Sequence, residues 1–198
     1  FDGLAATFDR FCPSVILNCT GITKRRERKD DSAPSILINA LLPHRIAAWC
    51  AAHDARLINF STDCVFDGRR GNYLERDLTN AEDLYGRTKA LGEAAGPNAL
   101  TLRSSFIGRE LADGTELLEW LIAQNHRTVK GYRQAMYSGL STIRLASVVG
   151  DIIEKFPRLT GLYQVASAPI SKYHLLMLAI EAFNLDVKIE PDDAVVIN

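Results

Sequence analysis

Tyr85 and Lys89 have the residue types and the spacing of a proton-donating pair. They lie four positions apart in the segment DLYGRTK, which reads as helical, so both side chains would share one helix face. A neighbouring ammonium favours the phenolate and lowers the pKa of a phenol, so Tyr85 could protonate a carbonyl oxygen. A surface pair worth about 0.3 kcal/mol would explain the same spacing without any chemistry.

A second polar segment, Ser61-Thr62-Asp63-Cys64, follows an apolar stretch that reads as a buried strand. It places two hydroxyls at the carboxyl end of that strand, where parallel α/β sheets bind ligands. A Ser/Thr turn with an Asx cap is the alternative explanation. Because the Tyr85 helix comes next along the chain, both features are expected on the same rim of the sheet.

The elements that would position these residues alternate between strand and helix. Strands are predicted at 14–18, 56–60 and 99–103, and helices at 35–53 and 83–95. Beyond Ile107 the pattern is less regular, with helices at 116–124, 142–153 and after a Ser171 cap, and strands at 128–130, 162–165 and 187–189. Apolar strands without alternation predict an α/β fold, with a Rossmann-like parallel sheet and helices on both faces.

Composition narrows the classes of partner. The 23 Lys and Arg residues nearly balance the 24 Asp and Glu residues, which does not favour nucleic acid. No apolar run approaches the ~20 residues that span a bilayer, so no membrane association is expected. The cysteines form no CxxC pair and the histidines no constellation, so we expect no metal site and reduced thiols in a cytoplasmic protein.

The segments STDCVFDG and DLYGRTK together resemble the extended short-chain dehydrogenase/reductases, and more narrowly the dTDP-4-dehydrorhamnose reductase group of sugar-nucleotide reductases. VILNCTGIT, INALLPH and TLRSSFIGRE extend the similarity over nearly the whole chain. The resemblance implies NAD(P)H-dependent reduction of a keto group on a nucleotide-linked deoxysugar, in polysaccharide or cell-surface sugar biosynthesis. NADP or NAD would be the cofactor, with some preference for NADP, and a homodimer is compatible with this interpretation.

The resemblance also divides the chain and assigns roles. Residues 1–106 would be the remainder of a dinucleotide-binding Rossmann domain, and 107–198 a mostly substrate-binding portion with some elements returning to the sheet. Thr62 matches the catalytic hydroxyl that bonds the carbonyl oxygen, Tyr85 the catalytic acid, and Lys89 the lysine that tunes the tyrosine and holds the nicotinamide ribose. Asn39 matches a helix asparagine linked to a water in the proton relay.

Two further sets of residues follow from the same resemblance. The implied cofactor-binding residues are Cys19, Thr20, Gly21, Ser61, Tyr85, Lys89, Arg103 and Ser104. The implied substrate-binding residues are Asp63, Cys64, Ser105, Arg109 and Tyr137, although a solvated surface charge explains Arg109 equally well.

Three features depart from the family's pattern. The glycine-rich unit that cradles the pyrophosphate should precede Phe1, so we expect the N-terminal part of the cofactor site to be missing from this chain. Cys64 stands where these reductases usually have an aromatic residue. The stretch 135–142 lacks the polar pair and proline that rhamnose-type reductases carry, which leaves the identity of the sugar open.

Two other functions agree with the same residues. An epimerase or dehydratase of the same superfamily would regenerate a tightly held cofactor, and Asp63 beside Thr62 does not discriminate because the reductases also have it. The other alternative function is that of a non-catalytic nucleotide-binding regulatory subunit. The presence of Thr62, Tyr85 and Lys89 together argues against it.

Overall fold

A computed structural model describes residues 1–28, 30–111 and 114–197. The α-helices are α1 (Asp2–Phe11), α2 (Ala33–Ser35), α3 (Leu42–Ala52), α4 (Leu84–Leu91), α5 (Leu117–Ile122), α6 (Thr142–Lys155) and α7 (Lys172–Phe183). A π-helical segment (Ile36–Leu41) joins α2 to α3, and a 3-10 turn covers Asp63–Val65. The strands are β1 (Val15–Asn18), β2 (Arg56–Ser61), β3 (Ala99–Arg103), β4 (Phe106–Ile107), β5 (Thr128–Tyr132), β6 (Met136–Tyr137), β7 (Leu140–Ser141), β8 (Gly161–Gln164), β9 (Ile170–Ser171) and β10 (Lys188–Asp192).

The main sheet has four strands in the order β1-β2-β3-β8, and every neighbouring pair is parallel. Asn18 lies opposite Asn59, and Ser61 lies opposite Arg103, so the strands end along one edge. The two central strands are buried along almost their whole length, which explains why their sequences are apolar without alternation. The predicted α/β fold with a parallel sheet is confirmed.

One face of this sheet forms a core with α1 and α3. Strand residues Ile16 and Leu57 pack with Ile46, Trp49 and Cys50 of α3, and α1 contributes its apolar stripe, Leu4, Ala5 and Phe8. The Trp49 indole N–H donates to the Asp9 carboxylate at 2.8 Å, which satisfies the one polar atom that this ring brings into the core.

The continuous helical stretch 33–52 has 20 residues and a mean hydropathy of 1.2, so length and composition alone would let it cross a membrane. This differs from our expectation that no apolar run reaches bilayer length. A core helix of a globular protein meets the same test, and the α3 part packs against the sheet through Ile46 and Trp49.

The chain forms two compact units. The first comprises Phe1–Asp67, Tyr73–Ser104 and Asp151–Val165, and the second Gly68–Asn72, Ser105–Gly150 and Ala166–Asn198. The second unit contains the parallel pairs β5–β10 and β4–β7 and the antiparallel pair β6–β9. Its core joins α5 to α7 through Leu118, Leu121, Leu176 and Ala179. The division at residue 106 stays a prediction.

Several predicted elements end elsewhere in the structure, and two differ by three or more residues. The helix predicted over 83–95 ends at Leu91, because after the Gly92 cap the N–H groups of Glu93 and Ala94 bond the carbonyls of Ala90 and Gly92, and no longer those four residues back. The strand predicted over 187–189 continues as β10 to Asp192 and includes Pro191. Proline is tolerated there because β10 lies at the edge of a two-stranded sheet.

Candidate active site

The turn after β2 is organised by Thr62. Its side chain is buried, and its hydroxyl accepts the Cys64 N–H at 3.1 Å and donates to the Asp63 carboxylate at 3.2 Å. This N-cap begins the 3-10 turn, on which Asp63 and Cys64 are exposed. The Ser/Thr turn considered in the sequence is therefore present, and it presents the predicted substrate-binding residues at the carboxyl end of a central strand.

Helix α4 brings Tyr85 beside this turn. Asp83 caps the helix by accepting the Gly86 N–H at 2.9 Å, which places the half-buried Tyr85 in the first turn. A Cβ at Gly86 would overlap the carbonyl oxygen of Cys64. Glycine is therefore needed for α4 to approach the 3-10 turn closely enough to bring Tyr85 to the end of β2.

Lys89 lies one turn further along α4 and is buried at 7% exposure. Its ammonium donates to the Phe60 carbonyl at 2.6 Å, so the side chain is fixed to the end of β2. Burial lowers the pKa of Lys89, and the negative charge of Glu93 opposes that change. An ammonium has three N–H donors, and Phe60 is its one acceptor among the described residues, so donors remain for a ligand.

Asn39 lies in the π-helical segment and ties the loop after β1 to α4. Its amide accepts the Ile22 N–H at 2.8 Å and donates to the Ile22 carbonyl at 2.9 Å and to the Thr88 hydroxyl at 3.2 Å. A Cβ at Gly92 would overlap the Asn39 carbonyl oxygen, so this glycine is also required for close packing. The structure gives Asn39 a positioning role, and its part in a proton relay stays a prediction.

The loop after β1 carries Cys19, Thr20 and Gly21, all exposed at the carboxyl end of the strand. Both the N–H and the hydroxyl of Thr20 donate to Asn18, which in turn donates to Asn59 of β2. This chain of side chains holds the loop over the edge of the sheet. The three predicted cofactor-binding residues therefore lie on the same edge as Thr62.

The predicted cofactor residues Ser61 and Arg103 bind a residue that the sequence analysis missed. Glu93 accepts from the Ser61 hydroxyl at 2.8 Å and from Arg103 through two N–H groups, each at 2.7 Å. Arg103 is buried at 4% exposure, and its guanidinium lies 5.0 Å from the Phe66 ring centroid. Helical spacing gave no signal for this residue, because α4 ends at Leu91 and Glu93 lies beyond the helix. Ser104 follows Arg103 and is also buried.

The remaining predicted substrate-binding residues lie in the second unit. The Ser105 carbonyl accepts the Leu140 N–H at 3.0 Å, and Tyr137 is half-buried on β6. Arg109 is ion-paired with Glu119 at 2.5 Å, so its charge has a partner within that unit. The active-site residues that the structure brings together are those of the first unit.

Comparison with known proteins identifies a family. Residues 1–193 match the family described as the RmlD substrate binding domain. A dTDP-4-dehydrorhamnose reductase of Mycolicibacterium smegmatis is 36% identical over 110 residues, covering 52% of this chain and 33% of that protein. One from Aggregatibacter actinomycetemcomitans is 26% identical over 194 residues, covering 90% of this chain and 64% of that protein. Methionine adenosyltransferase 2 subunit beta of Bos taurus is 39% identical over 89 residues, covering 43% of this chain and 25% of that protein.

Solved structures of dTDP-4-dehydrorhamnose reductases also resemble this chain. A dTDP-4-dehydrorhamnose reductase from Clostridium acetobutylicum has a TM-score of 0.83 and 26% identity, covering 96% of this chain and 69% of that chain. One from Bacillus anthracis, in complex with NADP, has a TM-score of 0.83 and 20% identity, covering 96% of this chain and 69% of that chain. At this identity the similarity shows the fold alone. The matched part spans 33% to 64% of the two reductase sequences. The chain belongs to the RmlD substrate binding domain family, and the expected resemblance to dTDP-4-dehydrorhamnose reductases is confirmed.

Proposed function

We propose that the full-length protein reduces a keto group on a nucleotide-linked deoxysugar, with NADPH or NADH as the reductant, in glycan biosynthesis. The observation that carries this proposal is the fixed Lys89 ammonium. It lies on the helix of Tyr85 and is bonded to the end of the strand that leads into the Thr62 turn. This combination provides an acid, a charge that stabilises its conjugate base, and a hydroxyl that orients a carbonyl.

In this mechanism Thr62 donates its hydroxyl hydrogen to the keto oxygen instead of to Asp63. Tyr85 then gives its phenolic proton to that oxygen as the carbonyl carbon is reduced. Lys89 stabilises the phenolate that remains, because its positive charge is held in a buried position where charge interactions are strong. The reduced nicotinamide supplies the hydride when bound.

The residues of the first unit fit a dinucleotide. Lys89 keeps N–H donors for ribose hydroxyls, and the exposed loop 19–21 lies at the carboxyl edge of the sheet, where parallel α/β sheets bind such ligands. We propose NADP as the preferred form, since the Bacillus anthracis reductase with the same fold is in complex with NADP. NAD is the alternative.

The test is oxidation of NADPH or NADH by the full-length protein, followed at 340 nm, a wavelength at which reduced nicotinamide absorbs, with dTDP-4-dehydrorhamnose as substrate. We expect turnover that depends on the sugar nucleotide and is absent without it. An epimerase or dehydratase would instead copurify with NAD and convert the sugar nucleotide without net consumption of cofactor. That outcome would contradict the reductase proposal.

A regulatory subunit is the second candidate, because methionine adenosyltransferase 2 subunit beta is among the relatives. In that case the protein would bind nucleotide, turn over no keto-sugar and change the activity of a partner enzyme. Nucleotide binding measured by calorimetry, combined with the absence of turnover on 4-keto sugar nucleotides, would favour this candidate over the reductase.

We further propose that residues 1–106 bind the cofactor and 107–198 mostly bind the sugar nucleotide, with Ser105, Arg109 and Tyr137 among the contacts. We propose a homodimer in the cytoplasm. Sedimentation of the full-length protein tests the dimer, and fractionation of cells into cytosol and membranes tests the location.

A further inference from the structure

We propose that Glu93 is a positioning residue that fixes the orientation and the charged state of Lys89, and that it completes a functional triad with Tyr85 and Lys89. The contribution to catalysis rests on the proposed reductase function. The effect on Lys89 itself does not.

The first argument is the pair of bonds to β2. Lys89, within α4, donates to the Phe60 carbonyl at 2.6 Å. Glu93 lies two residues beyond the end of the helix and accepts from the hydroxyl of the next strand residue, Ser61, at 2.8 Å. The helix and the segment that follows it are therefore joined to β2 at two successive strand residues, which restrains the position of the lysine side chain.

The second argument is the strength of the Glu93 anchor. Its carboxylate is held by both N–H groups of Arg103 in a bidentate pair, with side-chain exposures of 12% for Glu93 and 3% for Arg103. Bidentate pairs restrict geometry as well as adding energy. Arg103 lies opposite Ser61 in the sheet, so Glu93 also joins β2 to β3.

The third argument is electrostatic. Burial lowers the pKa of Lys89, whereas the negative charge of Glu93 raises it. The other charged or titratable groups on the elements packed against Lys89 are Tyr85 and Arg87 on α4, Arg56 on β2, Asp63 and Cys64 on the 3-10 turn, and Arg103 on β3. The charge that raises the pKa of Lys89 is that of Glu93 and not of these groups. Without it, burial would act on the ammonium unopposed.

The experiment compares Glu93→Gln, which keeps the shape and removes the charge, with Glu93→Asp, which keeps the charge and shortens the arm. Lysine labelled with ¹³C at Cε reports each titration by NMR in the full-length protein, and the Lys89 signal is assigned by its loss in Lys89→Arg. We expect the Lys89 midpoint to fall in Glu93→Gln, and to stay near the wild-type value in Glu93→Asp. An unchanged midpoint in Glu93→Gln would overturn the proposal.

Glu93→Gln leaves the Arg103 guanidinium without a carboxylate, so it is paired with a second variant. Glu93→Gln/Arg103→Met removes both buried charges, a replacement that proteins often tolerate. The Lys89 midpoint should still lie below the wild-type value in this protein, and a midpoint at or above that value contradicts the proposal. The NMR readout needs no turnover, so a wild-type protein that fails to reduce keto-sugars would count against the reductase function and not against this role.

If the wild type is a reductase, the pH profile of kcat/KM provides the catalytic readout. The basic limb should move to lower pH in Glu93→Gln by the same amount as the NMR midpoint, and should stay in place in Glu93→Asp. A fall in kcat that is equal in both variants at every pH would identify Glu93 as a purely structural residue.

Discussion

The Asn39 amide is bonded to both backbone groups of Ile22, accepting its N–H at 2.8 Å and donating to its carbonyl at 2.9 Å. A side-chain amide that matches a peptide group in this way substitutes for a neighbouring strand. It fixes the loop after β1 at Ile22, which lies outside the strands of the described residues, and it joins that loop to the helix of Tyr85 through the Thr88 hydroxyl.

Removing this amide should weaken both stability and cofactor binding. We expect Asn39→Ala to lower the free energy of unfolding by about 1–3 kcal/mol, because the part-buried N–H and C=O groups of Ile22 lose their hydrogen-bond partner. Urea denaturation measures this change, and nucleotide titration of the full-length protein should show weaker NADP binding. Ile36→Ala, in the same segment but 47% exposed, is the control and should change neither quantity by more than about 0.5 kcal/mol. Equal effects in the two variants would contradict the proposed tie.

Removal of the phenolic hydroxyl tests the catalytic acid. Tyr85→Phe should reduce kcat by roughly 10²–10⁴-fold, the range typical for loss of a general acid, while urea denaturation shows a folded protein. The matched control is Tyr163→Phe, a strand tyrosine at 41% exposure, for which full activity is expected. Full activity in Tyr85→Phe would rule out the assigned role.

Close approach at Gly92 gives a steric prediction. A Cβ there would overlap the Asn39 carbonyl, and backbone cannot move aside as a flexible side chain can. Gly92→Ala should therefore lower thermal stability, with a cost of about 1–3 kcal/mol or more. Gly150→Ala, in α6 where nothing lies within 4 Å of the added carbon, should instead stabilise the protein by up to about 1 kcal/mol. A thermal unfolding midpoint for Gly92→Ala as high as that of Gly150→Ala would be inconsistent with this packing.

The buried ion pair should differ in energy from an exposed one. Arg103→Met leaves the Glu93 carboxylate buried without its partner, and we expect a loss of about 3–5 kcal/mol in the free energy of unfolding. Lys155 pairs with Asp151 on α6 with side-chain exposures of 62% and 50%, so Lys155→Met should cost at most about 0.5 kcal/mol. Urea denaturation of both variants measures the two losses in the free energy of unfolding. Comparable losses would show that burial does not make the Arg103–Glu93 pair more important to stability than the exposed pair.

We expect the loss of the Lys89 proton to set the alkaline limit of activity. In the proposed mechanism Lys89 is protonated, and burial lowers its pKa, so the proton is lost at a lower pH than from an ordinary lysine. Reductase kcat/KM should therefore fall as pH rises, with a midpoint below the usual value of ~10.4. In Lys89→Arg the guanidinium stays charged, so this limb should move to higher pH even if kcat is lower. A limb at the same pH in both proteins would belong to another group.

Local sequence patterns were enough to predict the parallel sheet, the Thr62 turn and the shared helix face of Tyr85 and Lys89. Their signals are short-range, because burial of a central strand sets its apolar composition and helical geometry sets the four-residue spacing. The same reasoning placed the carboxyl ends of β1, β2 and β3 on one edge, as the register shows.

The tertiary structure decided which partners these residues have. No local sequence pattern predicts that the Arg103 guanidinium is held by Glu93, or that the Asn39 amide is bonded to Ile22 and Thr88. Such contacts join residues of different elements, 10 to 49 positions apart, and they depend on the close approach of backbones at Gly86 and Gly92. Sequence therefore determined the chemical groups and the edge they occupy, whereas packing determined their hydrogen bonds, their burial and hence the charge environment of Lys89.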